Sequence, residues 1–257
     1  RAPTSPVSAL ALQVRRATGP VVGRQVELGA IRQELASART GRLTALTLEG
    51  EPGIGKTRLL VAAAEVAAAE GFTPLAATAD EEIRGPFLLA RGIFASAVAH
   101  ENGSNGAREQ FQRVLDAISG RDDPTLDALS LDHKLLRVFD LAAVAIRSMA
   151  AANPVAVLID DLQWADEDSV RMLRYVVRTA GDVPVFLGLA TRSEELAVVS
   201  EAVTLIADME RMGMVRRLKL ERFTPLETTE LVQQVLGGKV NASSAATMHA
   251  QAEGVAF

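Results

Sequence analysis

The chain has 257 residues, 48% hydrophobic and 23% charged, with a formal net charge of −5. This composition suits a soluble globular core and excludes a disordered or collagen-like chain, and the acidic balance without a dense Lys/Arg block argues against general capture of nucleic acid. No cysteine occurs, which excludes disulfides, thiolate metal ligands and a cysteine nucleophile, and fits a reducing compartment such as the cytoplasm.

Residues 1–20, with Pro3, Pro6 and Pro20 among Ser, Thr and Ala, read as a linker or boundary segment. Leu28, Ile31, Leu35 and Ala38 keep helical spacing, so a short turn at 21–24 is expected to feed a helix over 27–38 that Gly41 ends. A strand is expected at 43–49, a helix at 57–70 stopped by Gly71, and a second strand at 72–77. Residues 84–152 are mostly helical in pattern, broken by "HENGSNG" at 100–106 and "SGRDDP" at 119–124, and read as a helical insertion between strands. The longest apolar run, 141–159, is interrupted by Arg147, Asn153 and Pro154, so no segment reaches the length of a bilayer and no membrane partner is expected.

"PVAVLIDD" at 154–161 is a continuous apolar run ending in two acids, as a central parallel strand covered on both faces requires. A helix is expected over about 168–179, another buried strand over 183–192 and an edge strand over 214–223, with two helical patterns in 225–254. Five strands alternating with helices predict an α/β fold with a five-stranded parallel sheet, its ligand at the carboxyl ends of the strands. The expected division is a core over 21–222 and the start of a small helical lid over 223–257.

Between the first strand and the second helix stands "GEPGIGKT", which fits G-x-x-x-x-G-K-[ST] in the strand–turn–helix setting that gives this pattern its meaning. Glycines let the backbone turn tightly and aim several N–H groups inward, where a side chain would block a phosphate, and the helix start adds its unpaired N–H groups and positive dipole end. Gly50, Glu51, Pro52, Gly53, Ile54, Gly55, Lys56, Thr57 and Arg58 are therefore the expected phosphate cradle of a P-loop NTPase binding ATP or ADP. Lys56 is expected to reach the β- and γ-phosphates and the Thr57 hydroxyl to serve as a ligand of Mg²⁺. Asp160 is the expected metal-side acid at the end of the neighbouring strand, and Asp161 the general base that polarises the attacking water. Asp166 or Asp168 reads as a cap of the following helix. Arg192, closing its strand, is the expected sensor of the γ-phosphate if that strand lies beside the central one. His100, His133 and His249 show no ligand spacing and read as surface or loop residues, and Trp164 is expected to pack over the loop after Asp161.

"VVGRQVEL", "GEPGIGKTRLL", "VLIDDLQWADEDSVRMLRYV" and "LATRSEEL", taken in order, resemble the AAA-type ATPase module of the STAND signal-transduction NTPases, especially that of large bacterial LuxR-type (MalT-like) transcription regulators. The resemblance covers about 21–257. It implies that Val22, Gly23 and Arg24 sit near the adenine and ribose, that Asp160 and Asp161 are the Walker B pair, and that Arg192 is the arginine after the fourth strand. It also implies a closed monomer with ADP, self-association with ATP, and DNA binding only through a C-terminal domain beyond these residues. The chain departs from the family near the lid, where Arg222 stands at the place of a proline that packs on adenine, with Pro225 three residues later. The expected function is a slowly hydrolysing regulatory ATPase. The alternatives are a remodelling motor, with Arg174 or Arg178 as the finger offered to a neighbour, a small-molecule kinase whose insertion holds the acceptor, or a scaffold that holds nucleotide without chemistry.

Overall fold

The apolar runs that read as strands pair into one sheet. In this computed structural model, which describes residues 21–83, 85–100, 105–121, 130–192, 200–238 and 240–255, they are β1 (Thr44–Glu49), β2 (Thr73–Thr78), β3 (Val155–Asp160), β4 (Val185–Thr191) and β5 (Val215–Lys219). Their order is β2-β3-β4-β1-β5, and each neighbouring pair is parallel. The expected linker at 1–20 and parts of the expected breaks at 100–106 and 119–124 lie outside the described residues.

Two layers of helix cover the sheet because the strand side chains alternate. Ala156 and Leu158 of β3, Phe186 and Ala190 of β4 and Leu46 and Leu48 of β1 face α1 (Gln25–Ala38) and α2 (Lys56–Ala69). Val155, Val157 and Ile159, Val185, Leu187 and Leu189, and Ala45 face the other way. On that side lie α3 (Leu88–His100), α4 (Asn105–Ile118), α5 (Leu131–Ala152), α6 (Glu167–Thr179) and α7 (Glu201–Arg211). A residue that faced water on either side of β1, β3 or β4 would break this arrangement, and all three strands are buried along their full length.

The helical insertion is thus a layer of the core. Ile93, Phe94, Phe111, Val114 and Ile146, all from α3 to α5, are buried in the same cluster as β2, β3 and β4. The structure adds a helix the sequence reading lacked, α7, whose Ala202, Leu205, Ile206 and Met209 are buried. It also shortens the expected edge strand. After Lys219 the chain leaves the sheet and continues through residues 220–224 into α8 (Pro225–Leu236) and α9 (Ala242–Ala252). Among the described residues β5 pairs with β1 alone, and no strand extends the ladder on its outer side.

Helix α8 starts with a reciprocal cap. The Glu227 amide donates to Thr224 Oγ1 at 3.3 Å, while Glu227 Oε2 accepts from the Thr224 amide at 2.8 Å, with Pro225 at the first helical position. Helix α6 is capped by Asp166, which accepts from the Ser169 amide at 2.9 Å, so of the two candidate caps it is Asp166 that caps. The same carboxylate accepts from the amides of Phe87 and Leu89, fastening the start of α3 to α6. Among the described residues no helix is long and apolar enough to cross a membrane.

Candidate functional site

At the carboxyl end of β1 the chain turns through Gly50 to Gly55 into α2. Gly53 and Gly55 have φ of 75° and 102°, values at which a side chain is strained, and Gly55 is the residue before the first helical turn. It offers no side-chain cap, so the first amides of α2 keep their open end. Ile54, 1% exposed, anchors the loop in the core. A Cβ at Gly50 would meet Ile54 Cγ2 at 3.1 Å, which is why the loop can fold back over its own start. Lys56 is buried within this curve and donates from Nζ to the carbonyls of Gly50 at 2.7 Å and Glu51 at 2.8 Å.

The register of the sheet sets the rest. β3 ends at Asp160, and α2 packs across β3 and β4 so that Thr57 Oγ1 donates to Asp160 Oδ2 at 2.6 Å. Burial pushes the Asp160 carboxyl above its usual range, and the neighbouring Asp161 adds to this. The Thr57 hydrogen bond, the Asp161 amide and the Lys56 charge pull it back. A hydroxyl and a buried carboxylate converging this closely are the donor set that a cation completed by phosphate and water oxygens requires. No group of three or more His or acidic residues gathers as a metal cage among the described residues. The pair therefore fits Mg²⁺ held jointly with a phosphate.

Asp161 takes a left-handed backbone conformation, φ 51°, at the start of a single 3-10 turn. Its Oδ1 accepts from Gln163 Nε2 at 2.8 Å and lies 3.6 Å from Arg192 Nε. Gln163 Oε1 in turn accepts from the Arg192 amide at 3.1 Å. Since β4 lies between β3 and β1, Arg192 does close a strand adjacent to the central one. Beside it the Thr191 hydroxyl, in register with Glu49, is buried with no hydrogen-bond partner among the described residues. So is that of Thr78, in register with Asp160.

The N-terminal turn lies on the other flank of the loop. Val21, Val22, Ile54, Leu59, Phe223 and Leu231 line a cavity of about 70 Å³ next to Gly55. Gly23, φ 64°, lies under Glu227 of α8, whose Oε1 would be 2.5 Å from a Cβ there. Arg24 also lines the cavity, but its guanidinium is committed to the protein. It donates to the Ile54 carbonyl at 3.2 Å and the Glu221 carbonyl at 2.9 Å, pairs with Glu27 at 3.1 Å, and stacks 4.7 Å from the Phe223 ring. Arg58, on the first turn of α2, borders the same cavity.

Arg222, at the position of the family's proline, donates from Nη2 and Nε to Glu51 Oε2 at 2.5 and 3.1 Å and from Nη1 to Glu253 Oε2 at 3.2 Å. Its hydrogen bond and charge hold the Glu51 carboxyl below its usual range. The sequence reading missed Gln163, Thr191 and the partners of Arg222. Only Gln163 had a local signal, its place two residues after the second acid. The finger candidates are engaged within this chain: Arg174 pairs with Glu201 and Asp208, and Arg178 with Asp208. Exposed His133 bonds Ser130 at the start of α5, as the surface reading expects, whereas half-buried His249 of α9 bonds the Thr228 hydroxyl of α8, a contact between two helices; the side chain of His100 lies outside the described residues.

Comparison with known proteins fits this geometry. The chain is 26% identical over 198 residues to an uncharacterized protein of Rhizobium meliloti (strain 1021), covering 69% of this chain and 19% of that one. Its fold is similar to that of a DNA replication initiation factor, at 14% identity and a TM-score of 0.53, over 90% of this chain and 57% of the other. A Signal Transduction ATPase with Numerous Domains (STAND) protein with a tetratricopeptide repeat sensor, from Pyrococcus horikoshii, overlaps 93% of this chain and 30% of its own at 16% identity and a TM-score of 0.48. The chain thus spans a fifth to three-fifths of the length of these proteins. The sequence profile of the AAA ATPase domain matches residues 20–187, well over half of the chain and all of the loop, β3 and the first three residues of β4, and the chain belongs to that family.

Proposed function

We propose that this chain is an ATP-binding, slowly hydrolysing regulatory module, a nucleotide switch within a larger signal-transduction or transcription regulator of the STAND type. The observation that carries the reading is the tie between the phosphate loop and the residues leading into α8. Arg24 bonds the Ile54 and Glu221 carbonyls together, and Arg222 bonds Glu51 to Glu253. A phosphate seated in the loop acts on the same backbone and carboxylate that hold the terminal helices. Binding thereby biases two arrangements of α8 and α9.

In the proposed reaction the loop amides and Lys56 Nζ hold the β- and γ-phosphates, Lys56 exchanging its two carbonyl acceptors for phosphate oxygens. The cavity beside Gly55 takes the base and ribose against Val22 and Gly23. Thr57 Oγ1 and Asp160 would hold Mg²⁺, which supplies charge neutralisation across the phosphates when bound. Asp161 accepts a proton from water as its oxygen attacks the γ-phosphorus, the bond to the β-phosphate oxygen breaks, and ADP and phosphate result. Arg192 meets the charge on the transferred group. The kinase alternative lacks support from the insertion, whose described helices pack into the core beside β2, β3 and β4.

On this reading the ATP form of this chain self-associates, and DNA contact belongs to another part of a larger protein. Mass measured by light scattering with ADP and with a non-hydrolysable ATP analogue tests the switch. We expect a monomer with ADP and a larger species with the analogue. Identical masses and identical protease cleavage patterns in the two states would overturn it.

A further inference from the structure

Asp161 sits in a left-handed conformation at the end of β3, with its carboxylate 28% exposed, and such a side chain needs something to aim it. Among the described residues two groups touch it, and they differ in kind. The Arg192 guanidinium lies at 3.6 Å, longer than a charge-assisted hydrogen bond of about 2.8 Å. The Gln163 amide donates at 2.8 Å, and its other end accepts from the Arg192 amide at 3.1 Å. The orientation of this amide is determined by its neighbours. Rotated by half a turn, it would set its oxygen against a carboxylate and its NH₂ against an N–H. Gln163 itself is fixed by the single turn of 3-10 helix that carries it, with Leu162 fully buried and the Trp164 amide bonded to the Asp161 carbonyl at 2.9 Å.

We infer that Gln163 is the positioning residue for the water-activating carboxylate, bridging Asp161 at the end of β3 to the backbone of Arg192 at the end of β4. This rests on the proposed role of Asp161 as base. The amide binds one carboxylate oxygen, Oδ1, and leaves Oδ2 without a hydrogen bond among the described residues, available to receive the proton of the attacking water. A neutral donor aims the group without cancelling its charge. When the Arg192 side chain turns to a γ-phosphate, the backbone bond from Gln163 to Arg192 persists, so the base keeps its aim at the moment its counter-charge departs.

The test is single-turnover ATP hydrolysis alongside ATP affinity for Gln163→Leu, Gln163→Glu, Gln163→His, Asp161→Asn and the double variant Gln163→Leu/Asp161→Asn. Gln163→Leu should slow hydrolysis roughly tenfold to a hundredfold, the range in which loss of an orienting partner is felt, with ATP affinity changed less than about twofold. Gln163→Glu, which keeps the acceptor and sets a charge against Asp161, should be at least as slow. Gln163→His, whose ring has one donor and one acceptor nitrogen, should recover part of the rate. In the Asp161→Asn background Gln163→Leu should cost nothing further, because the two act as a unit. Thermal melting of each variant verifies folding, and Gln163→Glu serves in place of Gln163→Leu if the latter fails to fold. A slow Asp161→Asn with Gln163→Leu at the wild-type rate would overturn the inference, as would a fall in ATP affinity that matches the fall in rate. Asp161→Asn at the wild-type rate would instead remove the base itself.

Discussion

Lys56 donates to two carbonyls of its own loop, and both bonds are of the kind a phosphate oxygen can replace. Lys56→Ala should therefore lower ATP affinity by about tenfold or more, the worth of a charge-assisted hydrogen bond, while the loop stays anchored through the buried Ile54. Titration calorimetry on the folded variant measures this, and an unchanged affinity would mean that the phosphates sit elsewhere. The glycine-rich turn and the strand-end acids that the proposed site uses could be picked out in the sequence because each is written in consecutive positions: Gly50 to Thr57 is one turn, and Asp160 and Asp161 end one apolar run. Gln163 to Arg192 spans 29 residues and Arg222 to Glu51 spans 171, and a partner at such a distance has no spacing to betray it. Arg24 shows the same limit. The resemblance implies proximity to the base, yet the hydrogen bonds to Ile54 and Glu221 that occupy its guanidinium follow only from the path of the chain after β5.

β4 is the element whose composition is least forgiving. Gly188 at its middle leaves room for the side chains of the sheet around it: a Cβ there would stand 2.8 Å from Leu158 Cδ2 of β3 and 3.3 Å from Phe186 Cε1. Gly188→Val should destabilise the fold by about 1–3 kcal/mol through overpacking, read as a lower midpoint in chemical denaturation. A midpoint equal to that of wild type would show that the Leu158 side chain can give way without cost. β3 and β4 were legible as apolar runs because both of their faces are covered, whereas β1 alternates apolar residues with Thr and was marked by the glycine-rich turn that follows it. The edge strand was not bounded correctly, because alternation in "MVRRLKLERF" continues past Lys219 where the pairing with β1 ends. Helix α7 carried a readable spacing in Ala202, Leu205, Ile206 and Met209, but its acidic and basic residues conceal a buried cluster. Asp208 is 4% exposed and is surrounded by Arg174, Arg178 and Arg211.

Across the whole molecule, the ion pairs of Arg222 join the phosphate loop to the end of α9. Arg222→Gln should speed nucleotide exchange by a few-fold at low salt, and the wild type should approach the variant as salt is added, since the pair is exposed and screened. Exchange of a fluorescent nucleotide in stopped flow measures it, and equal rates for both proteins at low salt would show that the tie carries no load. The pH dependence has a definite sign. The folded Glu51 pKa lies below its ordinary 4.5, so the contribution of the pair is complete above that value and is lost as pH falls through the lowered one. Exchange should accordingly be flat across the neutral range. The strand order has a mechanical consequence. β1, which bears the loop, and β5, which leads to the terminal helices, are immediate neighbours, riveted by Arg217 on Glu49 and by the Leu220 amide on the Glu49 carbonyl at 2.7 Å. The fulcrum is therefore one strand spacing, about 4.8 Å, from the force. The 12 residues of α8 make an arm of roughly 18 Å. A tilt that shifts the loop by a few tenths of an ångström sweeps the far end of α8 through roughly four times that distance, so a lever of this ratio magnifies a small displacement at the phosphate site into one that a protein surface can read.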